Sequence, residues 1–437
     1  MHPLDGSKEL DCPEGLLDRN LPRRLETLSR CLAETPGKIE TGGINLHIHT
    51  NESFSIFRSP SEAVWQAYLH GIEYFGICDH YSTAGHGELR SASGIAGLKA
   101  IFGMEIKTID PDALQRGVRV NDPHNPGRVY LIAKGVTREL KKRGRADRSL
   151  HSMRKAIRKR NEATSANLNR YANEKGYDIG FNYSDALSLT PNGNVTERHV
   201  IQAFCEKIRA EAGSPAEQKA IFEDLANTEI EDGVFNDPWE LQESVRTGLI
   251  RSGKPCYVEE DRRAFSSEKD VIGIFLEFGA VPTYSVMANP ITHEEEDIER
   301  LLRKVVKKGL YAFDLLEFRT EMKRARQVIE TADQYGFPVF IGTEHNTKKM
   351  MPMSGEIGKS AEFYGYLRKS ADFVLGHQIL SQLCDFGYVG KDGKTRFDDL
   401  KQGFRFFADV GKTPPGADEI SELERKDLRE RKRYFNL

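Results

Sequence analysis

The stretch Ile44-Asn45-Leu46-His47-Ile48-His49-Thr50 has the alternating pattern of a β-strand and contains two histidines two residues apart. Because successive side chains of a strand point to opposite faces, His47 and His49 lie on the same face. Two imidazoles on one face at a strand end can bind one metal ion together. Surface or core histidines would explain this motif equally well, so the neighbouring motifs decide between the two interpretations.

The residues after this strand predict a helix and a second strand. Ser59-Pro60-Ser61-Glu62 supplies an N-cap, a proline in the first turn and a capping-box glutamate, and Gly71 ends the helix. Later units are predicted as helices over 269–278, 297–308 and 322–335 and as strands over 280–286, 311–318, 339–341 and 373–375. This alternation is typical of β/α units around a parallel sheet.

Ionisable side chains end the next two apolar runs as well. Ile77-Cys78-Asp79-His80 places an acid and an imidazole after one run, and Phe102-Gly103-Met104-Glu105 ends the following one. Ionisable groups at buried strand ends cost free energy unless they are paired or bind a metal. Three such runs in succession therefore predict a metal site at one end of a barrel, where barrel enzymes place their chemistry.

These motifs, in this order, resemble those of the PHP (polymerase and histidinol phosphatase) superfamily of metal-dependent hydrolases. The matches are H-x-H-T at His47–Thr50, D-H at Asp79-His80, G-x-E at Gly103–Glu105, an R-H segment at Arg198-His199, the glutamate strand at Glu317, and Glu344-His345-Asn346 where members carry D-x-H. The resemblance spans residues 41 to 380. It implies a distorted (β/α)7 barrel with a large helical insertion.

The resemblance also implies the site. Its metal ligands would be His47, His49, His80, Glu105, His199, Glu344 and His377; its catalytic groups Asp79, Arg198 and His199; and its substrate contacts Arg319, His345, Asn346 and Lys348. Mixed imidazole and carboxylate ligands suit Zn, Mn or Fe. A water molecule bound to such a divalent ion would act as the nucleophile.

Several positions depart from the family pattern. The usual A-H-P is replaced by Val281–Ser285, and Tyr130 stands near the place of a missing histidine. Glu344 replaces an aspartate, and Asn346 falls where a histidine is expected. His377 is interpreted as a strand-end histidine that compensates. We therefore expect two bound metals.

The alternation of predicted strands and helices, and the places where it is interrupted, divide the chain into five segments. They are an N-terminal helical extension (1–40), a first barrel part (41–136), an insertion or lid carrying Arg198-His199 (137–264), a second barrel part (265–385) and a charged C-terminal tail (386–437). The insertion is expected to cover the end of the barrel that carries the site.

The charge and composition of the chain limit the kinds of partner and the cellular location that we expect for the protein. A formal net charge of −3 argues against a protein built to hold nucleic acid over its whole surface, and the basic run from Lys141 to Arg160 lacks interleaved aromatics, so a solvated helix face is favoured. Six scattered cysteines suggest free thiols in a reducing compartment. Without a signal sequence or a run of about 20 apolar residues, a cytoplasmic protein that does not enter the membrane is expected.

The sequence thus predicts a metal-dependent phosphoesterase that acts on a small phosphorylated molecule. Two alternatives stay open: a nuclease or a non-phosphate hydrolase on the same scaffold, and a noncatalytic PHP module that binds a ligand or partner.

Overall fold

Seven strands form one sheet in chain order within residues 12–35, 41–287 and 289–437, which this computed structural model describes. They are β1 (Gly43–Ile48), β2 (Ile72–Ile77), β3 (Lys99–Ile109), β4 (Arg128–Lys134), β5 (Val281–Val286), β6 (Phe313–Leu316) and β7 (Val339–Gly342). The backbone N–H groups of Thr343 and Glu344 donate to the His47 carbonyl, and His49 N–H donates to the Glu344 carbonyl. The sheet is therefore a nearly closed barrel whose two ends meet beside the histidine motif.

Strand β4 corrects the prediction of a parallel sheet. It runs antiparallel to β3 and to β5, whereas the other neighbouring pairs are parallel. The β3–β4 connection contains only the five-residue helix Pro111–Gln115, so no long helix crosses the sheet and the chain returns beside β3. The predicted distorted seven-stranded α/β barrel is confirmed, with a mixed rather than a parallel sheet.

The helices of the barrel part follow the predicted units closely. In order they are α1 (Leu21–Glu34), α2 (Pro60–Leu69), α3 (His86–Ala96) and α4 (Pro111–Gln115) before the insertion, and α11 (Glu268–Glu277), α12 (Ile298–Lys308), α13 (Met322–Tyr335), α14 (Glu356–Lys359) and α15 (Ala361–Cys384) after it. Ser59 caps α2 by accepting from the Glu62 N–H, as predicted. The Glu62 carboxylate accepts from the Arg58 N–H, one residue earlier than a capping box requires.

The insertion between β4 and β5 consists of helices with a hydrophobic core of their own. They are α5 (Arg145–Glu174), α6 (Tyr183–Leu187), α7 (Glu197–Glu211), α8 (Pro215–Ala226), α9 (Asp232–Asn236) and α10 (Pro238–Leu249). Leu168, Phe204, Phe222 and Leu249 belong to a buried cluster separate from the barrel core. The basic run of the sequence lies largely on α5, the longest of these helices.

The segment predicted as a last strand, 373–375, is helical. It lies inside α15, a 24-residue helix that is buried on most of its surface. A helix buried on nearly all sides has no polar face, so its apolar run cannot be distinguished from a buried strand by periodicity. The predicted strand, and the strand-end position of His377, are therefore wrong.

Part of the segment that was predicted as a charged tail packs against the barrel. Helix α16 (Leu400–Lys412) crosses α15 where Gly376 faces the Phe407 carbonyl, and Phe404 and Phe407 join the barrel core. Two short helices follow, α17 (Ala417–Arg425) and α18 (Leu428–Tyr434). Of the described helices, none combines the length and apolar character needed to cross a membrane.

Gly342 is required by the close approach of β7 to His47. A Cβ at this position would lie 2.2 Å from the His47 Cβ and 2.6 Å from its Cα and backbone N. Backbone atoms cannot move aside cheaply, so we expect Gly342→Ala to cost about 1–3 kcal/mol in the free energy of unfolding and to displace His47. Urea unfolding and zinc titration measure the two effects.

Gly273, in α11, provides the matched control. A Cβ there would meet no described atom within 4 Å, so Gly273→Ala should be neutral or stabilising. Equal stabilities and equal zinc affinities of the two variants would contradict the proposed close contact.

Candidate metal centre

Four side chains from the first three strands converge at one end of the barrel. The Glu105 Oε2 atom lies 3.6 Å from His47 Nε2, 3.5 Å from His49 Nε2 and 3.4 Å from His80 Nδ1. Glu105 lies within β3, level with the end of β2, because its backbone N–H donates to the Asp79 carbonyl. One carboxylate oxygen thus faces three imidazole nitrogens that come from different parts of the sequence.

The polar atoms of this cluster are buried and lack hydrogen-bond partners in the described part of the chain. They are His47 Nε2, both ring nitrogens of His49, His80 Nδ1 and both carboxylate oxygens of Glu105. Burying polar atoms without partners costs free energy, and so many in one place require a common partner. A cation at the point that these side chains face would satisfy several of them, but it could bind only one of the two ring nitrogens of His49.

The spacing of the cluster fits a metal ion. Ligand atoms of His47, His49 and Glu105 all lie within 4.8 Å of one another. An ion that holds nitrogen and oxygen ligands at about 2.1 Å in tetrahedral geometry separates them by about 3.4 Å. The measured separations to Glu105 are close to that value, so His47, His49 and Glu105 can hold an ion. His80 is outside this group of three, although its Nδ1 lies 3.4 Å from Glu105 Oε2.

The electrostatics of His49, His80 and Glu105 suit metal binding. Burial lowers the pKa of His80 to about 3, and burial together with neighbouring His47 lowers that of His49, so both imidazoles are neutral near pH 7. Burial opposes ionisation of Glu105, but the imidazoles around it hold its pKa below the usual range. Neutral imidazoles and an ionised carboxylate are the forms that bind metals.

Asp79 holds the loop that follows β1. Its carboxylate accepts from the Thr50 N–H at 2.8 Å, the Thr50 hydroxyl at 2.7 Å and the Ser53 hydroxyl at 2.6 Å. Both oxygens are occupied by these bonds. This arrangement fits a positioning role better than the catalytic role that the sequence predicts.

Glu344 and Arg319 form an ion pair close to the cluster. Arg319 contacts Glu344 Oε2 at 3.1 Å, and the charges of Glu344 and Glu105 both raise the pKa of Arg319. Glu344 lies in the loop after β7 with φ +57°, and its charge opposes the lowering of the His49 pKa that burial causes. Its role as a ligand stays a prediction.

Three predicted substrate contacts, His345, Asn346 and Lys348, make their contacts outside the cluster. His345 is completely buried; its Nδ1 pairs with the Thr343 hydroxyl at 2.5 Å and its Nε2 lies 3.1 Å from Met351 Sδ. It therefore offers no surface to a substrate, because its backbone, at φ +56°, turns it into the core. Lys348 lies over the Trp239 ring of the insertion, at 4.6 Å, and Asn346 is half-buried beside it.

The insertion brings Arg198 and His199 to the loop after β1. The Arg198 guanidinium lies over the Phe54 ring at 5.5 Å and 3.3 Å from Glu243, and Glu344 acts on its pKa, which burial lowers to about 10. His199 Nδ1 accepts from the Thr196 N–H as part of the cap of α7. Burial lowers the pKa of His199 to about 3. With one nitrogen engaged in the cap, its predicted roles as ligand and catalytic group stay untested.

His377 lies in a different environment from the one predicted. Its Nε2 contacts the carbonyls of Gly135 and Gly279, and its Nδ1 accepts from the Tyr388 N–H. Because both ring nitrogens bind backbone groups, His377 fastens α15 to neighbouring loops and is not free to bind a metal.

Two asparagines join the insertion to the loops beside the cluster. Asn194 Nδ2 donates to the carbonyls of Glu52 and His80, both at 2.8 Å, and Asn192 Nδ2 donates to Glu52 Oε1 at 2.7 Å. The insertion therefore contacts the loops after β1 and β2, at the rim of the histidine cluster.

Sequence reasoning missed Asp314 and Lys134. Asp314 Oδ1 lies 3.0 Å from His47 Nδ1, and Asp314 Oδ2 lies 2.6 Å from Lys134 Nζ, with all three side chains fully buried. The available signal was an ionisable residue inside an apolar strand, in Phe313-Asp314-Leu315 and Ile132-Ala133-Lys134.

We expect the contact between Glu52 and the insertion to depend on pH. Burial raises the pKa of Glu52 from 4.5 to about 7. A carboxyl group with a raised pKa stabilises the folded protein fully below pH 4.5, and this contribution is lost as the pH rises through about 7. Glutamine does not ionise, so Glu52→Gln does not lose this stabilisation as the pH rises. The Tm of the variant minus the Tm of wild type should therefore be about 2–4 °C higher at pH 8 than at pH 5.

Calorimetry in the presence of a chelator measures this difference without interference from metals. Glu73→Gln, at the opposite end of β2, serves as the control. A Tm difference for Glu52→Gln that is the same at both pH values would contradict the expectation.

Comparisons with known proteins give local and weak global similarities. No profile of a known family matches the chain. A 5′-3′ exoribonuclease from Haemophilus influenzae is 38% identical over 64 residues, which span 15% of this chain and only 23% of that protein. A protein from Bifidobacterium adolescentis described as a metal-dependent phosphoesterase superposes with a TM-score of 0.48 at 18% identity, covering 71% of this chain and 90% of the other. An amidohydrolase from Chromobacterium violaceum, solved with sulfate and no metal, gives a TM-score of 0.45 at 16% identity, covering 70% and 87%.

The fold and the cluster agree with the resemblance drawn from the motifs. The first three motifs meet in space although some 58 residues of chain separate His47 from Glu105. The structure has the seven-stranded barrel that the resemblance implies, and it brings His47, His49, His80 and Glu105 together.

Proposed function

We propose that the chain is a metal-dependent phosphoesterase that hydrolyses a small phosphate ester. The observation that carries the proposal is the set of buried, unpartnered atoms of His47, His49, His80 and Glu105 around one point. We propose Zn, Mn or Fe as the metal, and two ions when loaded, with Glu344 completing the second position. A bound metal would supply an activated water molecule and neutralise charge on the phosphoryl oxygens.

Cationic side chains at the rim favour a phosphate over an uncharged substrate. Arg319 is 38% exposed at its side chain and pairs with Glu344 next to the cluster, and Arg198 lies within electrostatic range of the same carboxylate. A guanidinium can bind phosphoryl oxygens in a bidentate manner. Arg319 would orient the ester, and Arg198 would close over it from the insertion.

The insertion would restrict the site to small substrates and exclude water. Asn192 and Asn194 hold it against the loops after β1 and β2, and Lys348 holds it from the side of β7 through Trp239. Excluding water strengthens the interaction of the arginines with the developing charge.

A second candidate is cleavage of a phosphodiester in RNA. The local similarity to an exoribonuclease favours it, and α5 carries exposed cations such as Lys155 and Lys159. The two candidates differ in what must fit beneath the insertion: a small ester or a chain end.

The test uses protein stripped with a chelator and reloaded separately with Zn, Mn or Fe(II). Metal content is measured by elemental analysis, and turnover with p-nitrophenyl phosphate, bis-p-nitrophenyl phosphate, a 5′-phosphorylated RNA and an acetyl ester. Metal-dependent turnover of the monoester supports the proposal, and preference for RNA supports the second candidate. Turnover of the acetyl ester alone would indicate a non-phosphate hydrolase, and absence of metal and turnover would indicate a noncatalytic module.

A further inference from the structure

The inside of the barrel contains a buried ion pair that the proposed reaction does not use. Lys134 Nζ lies 2.6 Å from Asp314 Oδ2, donates to the Leu46 carbonyl at 2.7 Å and lies 3.3 Å from Cys78 Sγ. Lys134 and Asp314 are both 0% exposed. The pair joins β4 and β6 to the strands that carry the histidine motif and the aspartate–histidine motif.

Such a pair is a poor way to stabilise a core. Removing two charges from water costs several kcal/mol per ion, and apolar side chains of similar volume are often as good or better. Stability alone therefore does not explain why an aspartate and a lysine are fully buried inside the barrel. The second contact of Asp314 suggests a reason.

Asp314 contacts His47 on the side away from the cluster. Its Oδ1 atom lies 3.0 Å from His47 Nδ1, whereas His47 Nε2 faces Glu105 at 3.6 Å. An ionised carboxylate can only accept a hydrogen bond, so His47 Nδ1 must carry a proton and the ring is fixed with Nε2 toward the cluster. Lys134 balances the charge of Asp314 and holds its second oxygen, so the carboxylate cannot turn away.

We propose that Asp314, anchored by Lys134, is a positioning residue that fixes the ring orientation and tautomer of His47 for metal binding through Nε2. This inference deepens the proposed function, since it rests on the same metal centre. It assigns the role to a contact between residues 47, 134 and 314, which lie on three strands. It does not require that the substrate be a phosphate ester.

The main test replaces the pair as a unit, because removing one charge would leave the other buried and uncompensated. Lys134→Met/Asp314→Leu keeps the approximate shapes and should fold. We expect its zinc affinity, measured by competition with a chromogenic chelator, to fall about 10–100-fold while Tm stays near that of wild type. The matched control Lys99→Met/Glu73→Gln removes an ion pair of 3.0 Å near the opposite end of β2 and should leave zinc affinity unchanged.

A second measurement uses the wild type and does not depend on folding of a variant. In zinc-loaded protein labelled with ¹⁵N-histidine, His47 should bind zinc through Nε2 and show a hydrogen-bonded Nδ1 proton. Binding through Nδ1, or equal zinc affinity in the folded double variant and wild type, would overturn the inference. Absence of zinc binding by wild type would overturn the metal centre as well, whereas zinc binding without hydrolysis would affect only the proposed function.

Discussion

Glu105→Gln is expected to lower metal affinity by at least about 100-fold and to abolish metal-dependent hydrolysis, because Glu105 is the common neighbour of three imidazoles. The substitution keeps the size of the side chain but removes the anionic charge that attracts a divalent ion. The amide also has only one oxygen to offer, and its NH2 group would face the histidine nitrogens. Elemental analysis after dialysis and turnover of p-nitrophenyl phosphate measure the two losses.

Glu73→Gln is the matched control for this change. Glu73 is also a glutamate of a barrel strand in an ionic contact, but it lies at the start of β2 and pairs with Lys99 and Arg368. It should keep its metal and its activity. Full metal content in Glu105→Gln, at wild-type stability, would show that the cluster around His47 and His49 is not the metal site.

Arg319→Met is expected to lower kcat/KM for a phosphomonoester by about 10²–10³-fold, the range found when one donor to a developing oxyanion is removed. Arg319 is partly exposed at the rim and interacts with both Glu344 and Glu105. Because methionine cannot donate to a phosphoryl oxygen, the loss should appear in kcat/KM. Metal should be retained, since no metal ligand is changed.

Steady-state kinetics with elemental analysis on the same samples separate these effects. Arg326→Met, on α13, removes an exposed arginine that pairs with Glu362 and should leave the kinetics unchanged. Loss of metal in Arg319→Met would instead indicate that Arg319 maintains the position of Glu344. Unchanged kcat/KM would remove the main support for a phosphate substrate.

A smaller effect, on metal affinity, should distinguish Glu344 from the adjacent His345. Glu344→Gln should weaken metal binding more than His345→Ala does, because Glu344 acts on His49 whereas His345 is buried against Thr343 and Met351. Chelator competition on both variants measures the order. The reverse order would mean that the loop after β7 rearranges when metal binds.

The sequence alone determined the features that depend on local geometry. Strand alternation is a property of a few consecutive residues, so it correctly placed His47 and His49 on one face. The cap of α2 by Ser59 likewise depends on residues three positions apart. Ionisable residues after apolar runs indicated a buried polar site, because burying such a group costs free energy in any fold unless it is paired or binds a metal.

The tertiary structure alone decided which distant residues complete these local signals. The partner of His47, Asp314, lies 267 positions away on β6, and no local pattern links the two. His377 looked like a strand-end ligand because α15 is buried on most sides and so lacks the amphipathic period that identifies a helix. The direction of β4, and hence the position of Lys134 inside the barrel, depends on how the chain returns along the sheet. Local propensity specifies strands and helices, but pairing and burial between distant segments decide which side chains meet.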